Sequence, residues 1–240
     1  MGSEDPSLGG VSTILGLVLT ASRPDEKGME ARRQLVERYH RPVARTLRKR
    51  GTPRDRTEDL TQEFMLRFIQ GAYLAGYDAS QGKFRFWLKA CLRLFVAQQE
   101  EHESYRRGEP LQQVAESAIA EPIDDRFDLE WASDVWNRMQ KEMRRRLAGE
   151  PRLRSIWTWD SHSTSAGKMP HAEVAAKFGM SLEAFRAALY KTRDIRGAVF
   201  SDILREGVTD PRDLPAEMEQ FLRLINRGLS PRENEEPLTP

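Results

Sequence analysis

Apolar residues recur at helical spacing along nearly the whole chain, and no stretch shows the β-branched alternation of a strand. The pattern predicts helices over residues 30–50, 57–70, 83–103, 128–147, 171–178, 181–204 and 211–225. In the first of these Leu35, Tyr39, Val43 and Leu47 form one stripe, and Pro42 lies inside it, so a kink or break is expected there. Gly51-Thr-Pro-Arg54 stops that helix, residues 76–82 read as a loop, and residues 157–167 read as a Ser/Thr-rich loop. The expected fold is all-α, with two helical domains joined by an acidic linker and an extra C-terminal helix. Residues 1–10 are expected to be disordered or an expression remnant. Residues 11–107 form the first domain, 108–127 the linker, 128–204 a helix-turn-helix domain, and 205–240 a helical extension with a frayed polar tail.

Charge sharpens this division. The formal net charge of +1 hides strong segregation. Residues 29–107 hold 17 Lys/Arg against 10 Asp/Glu, residues 108–135 hold 1 against 8, residues 138–198 hold 13 against 6, and the chain from 199 onward holds 5 against 9. Basic modules thus alternate with acidic connectors, the pattern of a protein that meets a polyanion at two places. The plainer reading is that helical proteins carry charged faces anyway. Cys91 is the single cysteine, so no disulfide forms within the chain, and the four histidines lack ligand spacing. No cofactor or metal is expected. Residues 11–21 are apolar but far short of the roughly 20 needed to span a bilayer, and they lack a basic leader. Neither membrane insertion nor export is expected, and the cytoplasm is the default location.

Three helical faces carry candidate chemistry. In Asp55-Arg-Thr-Glu-Asp-Leu-Thr-Gln-Glu-Phe64, a 100° step per residue puts Leu60, Phe64 and Phe68 on one side and Asp55, Asp59, Gln62, Glu63 and Leu66 on the other. The second set is an acidic face with one apolar spot, suited to a cationic protein partner. Capping by Asp55 or Thr57 and the helix dipole account for the first turn, but not for Glu63 or Leu66. From Gly82-Lys-Phe-Arg-Phe-Trp-Leu88 onward, Phe84, Leu88, Cys91 and Phe95 form a core stripe flanked by Trp87 and Leu92. Arg85, Phe86, Lys89 and Arg93 fall opposite, and a ring among cations is how proteins stack unpaired bases. The alternative is that Phe86 packs under the 76–82 loop. In the third segment, residues 172–193, Gly179 marks a turn and Ser181 caps a second helix whose Phe185, Ala188, Leu189, Thr192 and Val199 face inward. Arg186, Tyr190 and Arg193, with Lys191 to one side, then face outward, as in a helix that reads a major groove.

The order and spacing of these segments resemble the extracytoplasmic-function sigma factors of the sigma-70 family, over about residues 11–225. Residues 55–64 resemble region 2.2, which in the family docks on the β′ subunit of RNA polymerase. Phe84-Arg-Phe-Trp-Leu88 through Gln98 resembles regions 2.3 and 2.4, which open and read the −10 element. Asp128-Leu-Glu-Trp131 resembles the start of domain 4 in one branch, and residues 172–193 resemble region 4.2, which reads the −35 element. The resemblance implies a non-enzymatic promoter-specificity factor whose partners are the polymerase core (β and β′ subunits) and promoter DNA, with an anti-sigma factor or other regulator possible. On that reading Asp55, Asp59, Gln62, Glu63 and Leu66 bind β′. Arg85, Phe86, Lys89 and Arg93 take the −10 strand, and Ser181, Arg186, Tyr190, Lys191 and Arg193 take the −35 duplex. The polyanionic linker (Glu109, Glu116, Glu121, Asp124, Asp125) suits a channel built for RNA, or is simply solvated.

This chain departs from the family pattern in three places. Glu100, Glu101 and Glu103 follow the −10 helix, where the family runs basic, and Asp194 follows the basic run of region 4.2. The helix at 211–225 exceeds the two-domain plan; it packs on domain 4, holds the free protein closed, or binds a regulator. Thr57 and Thr61 lie in the docking helix, where phosphate would add charge. A stand-alone helix-turn-helix regulator is the alternative function. An enzyme with a metal cluster at Asp124, Asp125 and Asp128 is the weakest, for want of a matching His or Lys.

Overall fold

The computed structural model describes residues 14–50, 52–70, 73–107, 123–162, 169–208 and 210–228. Among them every regular element is helical: α1 (Ile14–Ala21), α2 (Glu26–Lys49), α3 (Arg54–Ile69), α4 (Phe84–Arg107), α5 (Ile123–Arg146), α6 (Pro151–His162), α7 (His171–Lys177), α8 (Leu182–Arg205) and α9 (Leu214–Gly228), with short 3-10 turns at Leu74–Gly76, Ala79–Gln81 and Pro211–Asp213. The fold is all-α. The described residues divide into two units, one running to Asp134 and including Leu204–Gly228, the other spanning Val135–Ile203.

In the first unit α1 packs on α2 and α2 on α3. The stripe Leu35, Tyr39, Val43 and Leu47 is fully buried, as its spacing requires. It meets an aromatic core in which Phe84 lies 5.4 Å from Tyr39 and 5.8 Å from Phe68, and Phe64 lies 5.4 Å from Phe95. The break expected at Pro42 does not occur, because α2 runs unbroken from Glu26 to Lys49. An interior proline costs about 3 kcal/mol, whereas each buried stripe residue contributes about 1.5–3 kcal/mol. The stripe on both sides of Pro42 therefore outweighs the lost hydrogen bond. At its start, Asp25 accepts from the Gly28 N–H at 2.9 Å and caps the helix.

Cys91 is buried in this core, and burial pushes its thiol up to about 11. At pH 8 only roughly one thiol in a thousand is then ionised. A disulfide-exchange reagent should leave Cys91 untouched in native protein and titrate it after denaturation. Rapid native reaction would mean that the α4 core is open.

The second unit differs from expectation at residues 157–162. These continue α6 instead of forming a loop; residues 163–168 lie outside the described set. Pro151 occupies the first helical position, where its missing N–H is not needed. Leu153, Ile156, Trp157 and Asp160 then recur at i, i+3, i+4, i+7, and all four are buried. The Ser/Thr content hides that stripe, although Ser155 and Thr158 simply donate back to Pro151 O and Arg154 O. Ile156 joins Val174, Ala175, Phe185 and Leu189 in the core of the α6–α8 unit.

Helix α5 begins at Ile123, five residues ahead of the predicted start, and its first half belongs to the first unit. Glu130 is buried there and takes Lys49 at 2.7 Å. Most of the predicted linker (residues 108–122, with Glu109, Glu116 and Glu121) lies outside the described residues, as do residues 1–13 and the tail from 229. Helix α9 also belongs to the first unit; packing on the helix-turn-helix domain was one of the options its sequence left open. Arg38 holds the chain ahead of it by donating to Glu206 Oε2 at 2.8 Å and to Glu206 O at 3.1 Å.

Candidate functional site

The acidic face of α3 survives folding. Asp55, Asp59 and Gln62 are exposed, and Leu66 keeps 50% of its surface. Glu63 is partly exposed; it takes Arg67 Nη2 at 2.5 Å and Gln99 Nε2 at 3.2 Å on one oxygen. Pro53 stands at the N-cap, so neither Asp55 nor Thr57 serves as the cap. Asp55 sits in the first turn, where its charge favours the helix dipole. The Thr57 and Thr61 hydroxyls are buried and donate to Pro53 O (2.8 Å) and Thr57 O (2.6 Å), so neither is presented to a kinase.

The α4 face requires a correction. Arg85 and Lys89 do not face water; they are 2% and 7% exposed. The turn opposite the core stripe meets a second, carboxylate-bearing surface built from α5 and α9. Arg85 Nη1 pairs with Asp128 Oδ1, and Nη2 donates to Glu217 Oε1 at 3.1 Å and Gln220 Oε1 at 2.8 Å. Lys89 donates to Asp128 Oδ2 at 2.8 Å, and Lys83 to Glu217 Oε2 at 2.7 Å. The Arg85 guanidinium stacks 3.9 Å from the Trp131 ring, and Trp131 in turn meets Phe221 edge-on at 6.2 Å. Arg85 Nε is buried and makes no hydrogen bond.

Phe86 stays 41% exposed, with Arg85 and Lys89 over its ring at 5.1 and 4.8 Å. Arg93, seven residues on and so on the same face, is also exposed. Trp87 fills the space beneath the 76–82 segment: its Nε1 donates to Tyr73 O at 3.2 Å, and a Cβ on Gly76 would come within 3.0 Å of its ring.

Helices α7 and α8 are joined by a short turn at Gly179. Gly179 takes φ +61°, a left-handed turn that favours glycine. Ser181 Oγ accepts from the Ala184 N–H at 3.2 Å and caps α8. Phe185, Leu189, Thr192 and Val199 are buried, while Arg186, Tyr190, Lys191 and Arg193 are exposed, Tyr190 at 73%. Asp160, from the segment expected to be a loop, is buried and takes Arg193 at 2.6 Å and Arg196 at 3.0 Å. Its hydrogen bond raises the Arg193 pKa further and fixes where that cation stands on the outer face. Lys191 pairs with Glu150 at 3.0 Å.

Sequence reasoning therefore missed Glu217, Gln220 and the stacking role of Trp131 around Arg85, and Asp160 beside Arg193. The acidic blocks at 108–135 and beyond 199 were the available signal for the first group, since they supply Asp128 and Glu217. Among the described residues no group of three or more His, Cys, Asp or Glu is placed to hold a metal ion. No helix there is long and apolar enough to cross a membrane.

The Sigma-70 region 2 family model matches residues 35–98. The matched stretch runs from the α2 stripe into α4 and takes in the acidic α3 face and the aromatic start of α4 together. Curated proteins and solved structures return no match to the chain.

Proposed function

We propose that this protein is a sigma factor of the extracytoplasmic-function type, which directs bacterial RNA polymerase core to promoters in the cytoplasm and performs no catalysis. The observation that carries this reading is the exposed Asp55, Asp59, Gln62, Glu63 and Leu66 face lying inside a region 2 domain. Four polar side chains around one half-exposed leucine fit a cationic, partly apolar groove on a coiled-coil surface such as β′. Phe86 and Arg93 on α4 fit an unpaired −10 strand. Stacking one base on an aromatic ring is worth about 1–3 kcal/mol, enough to offset much of the unstacking cost without any bond chemistry. Ser181, Arg186, Tyr190, Lys191 and Arg193 fit the −35 duplex, with Arg186 and Tyr190 toward base edges and the cations toward phosphates.

Transcription with core enzyme on a genomic fragment library, followed by start-site mapping, tests the proposal. The Asp59→Arg, Glu63→Arg double variant should cut core binding by at least about tenfold, because two like charges then face a cationic partner. Its melting temperature should fall by only a few degrees, since Asp59 is exposed and Glu63, partly exposed, gives up the surface pair with Arg67 and the bond from Gln99. Undiminished core binding would remove the assignment of that face.

One observation favours a second reading, a stand-alone helix-turn-helix regulator. The outer face of α8 is open, whereas Arg85 and Lys89 are covered. On that reading the chain binds duplex DNA but does not bind core enzyme in a pull-down.

A further inference from the structure

The arrangement around Arg85 is unusual for a domain-building contact. Lys83, Arg85 and Lys89 lie on the first turns of the helix read above as the strand-binding element, and two carboxylates and one amide from elsewhere occupy them. The acids do not come from region 2. Asp128 lies beyond residue 98, and Glu217 and Gln220 lie on α9, more than a hundred residues further along the chain. They place oxygens on a guanidinium and an ammonium in the way that phosphate oxygens would.

We propose that α9 is a displaceable lid on the cationic end of α4, with Glu217 and Gln220 holding the positions that phosphates of an unpaired strand take on Lys83 and Arg85. The proposal rests on the reading of α4 as a DNA-binding surface. DNA and α9 then compete for one site, and the free chain is held closed until DNA or polymerase lifts the helix.

Two features make the lid releasable. Its polar contacts are ion pairs taken out of water, whose attraction is largely offset by desolvation. Its connection to α8 passes through a short segment whose described residues hold the 3-10 turn Pro211–Asp213. Its apolar hold runs through Phe221, edge-on to Trp131, and Leu224, so truncating Phe221 should loosen it. When α9 lifts, Asp128 stays with Arg85 Nη1 and Lys89, which keeps the guanidinium in place. Lys83 and Arg85 Nη2 become available beside Phe86, whose ring is already exposed.

Fluorescence anisotropy with a mixed-sequence single-stranded oligonucleotide and the full-length chain tests this. Glu217→Gln keeps the shape of the side chain and removes the charge, and should tighten binding about fivefold or more as the competent population rises. Phe221→Ala, which leaves every charge in place, should act in the same direction. Adding Phe86→Ala to the Glu217→Gln chain should abolish the gain. In the wild type, added DNA should speed amide exchange across residues 214–228. If Glu217→Gln and Phe221→Ala each change affinity less than about twofold, or α9 stays protected with DNA bound, while Phe86→Ala still weakens binding, the lid is wrong and the α4 reading stands. If no form binds, or Phe86→Ala changes nothing, the α4 reading fails and the lid fails with it.

Discussion

Replacing Asp128 by alanine should destabilise the first unit by about 3–5 kcal/mol, the cost of leaving buried charges without their partner. Asp128 reaches both Arg85 and Lys89. Both cations are nearly inaccessible, at 3% and 9% side-chain exposure, so water cannot take over the role. Glu217 would remain, but it already serves Lys83 and Arg85. For a chain of this size the loss corresponds to a melting temperature lower by about 6–20 °C. Asp128→Asn, which keeps one acceptor and loses the charge, should fall between wild type and Asp128→Ala. A shift below about 3 °C for Asp128→Ala would mean that Arg85 and Lys89 are hydrated in solution, since surface changes typically cost no more than ~0.5 kcal/mol.

The same network explains why charge patterning mattered more than net charge. The basic block at 29–107 supplies Lys83, Arg85 and Lys89, and the two acidic blocks supply Asp128 and Glu217. Among the described residues, three cations (Lys83, Arg85 and Lys89) there meet two carboxylates (Asp128 and Glu217).

What could be read from the chain alone follows from the range of each interaction. The stripe Leu35, Tyr39, Val43 and Leu47 and the set Phe185, Leu189, Thr192 and Val199 are local periodicities, and all eight residues are buried. Gly179 and Ser181 were equally legible, because a left-handed turn and an N-cap depend on a handful of neighbouring atoms. Arg85 and Lys89 were not legible. A cation opposite a core stripe reads as solvated unless its partner is known, and the partners lie 43 and 132 residues away from Arg85. Helix α6 failed for a different reason. Trp157, Trp159 and Asp160 sit among serines and threonines whose preference for loops outweighs the stripe in a local reading, until the core of the α6–α8 unit is considered.

Phe185→Ala should cost the α6–α8 unit about 3–5 kcal/mol, the range for removing a buried ring and leaving a cavity. Phe185 is fully buried and touches aromatic partners from two other helices and the turn: Trp159 at 5.5 Å, His171 at 5.7 Å and Phe178 at 6.0 Å. Those partners fix the approach of α7 to α8, and so the direction in which Arg186 and Tyr190 point. Losing the ring should therefore loosen the proposed reading face before the unit unfolds completely. Amide protection over residues 171–195 should collapse, and affinity for a duplex bearing the mapped −35 element should fall further than affinity for unpaired DNA, the ligand proposed for α4. Gly179→Ala offers a milder test of the same joint, at about 1 kcal/mol, because it strains only the turn at φ +61°. Equal losses on duplex and unpaired DNA for Phe185→Ala would contradict the division of labour proposed for α8 and α4. An unchanged denaturation midpoint would contradict the packing itself.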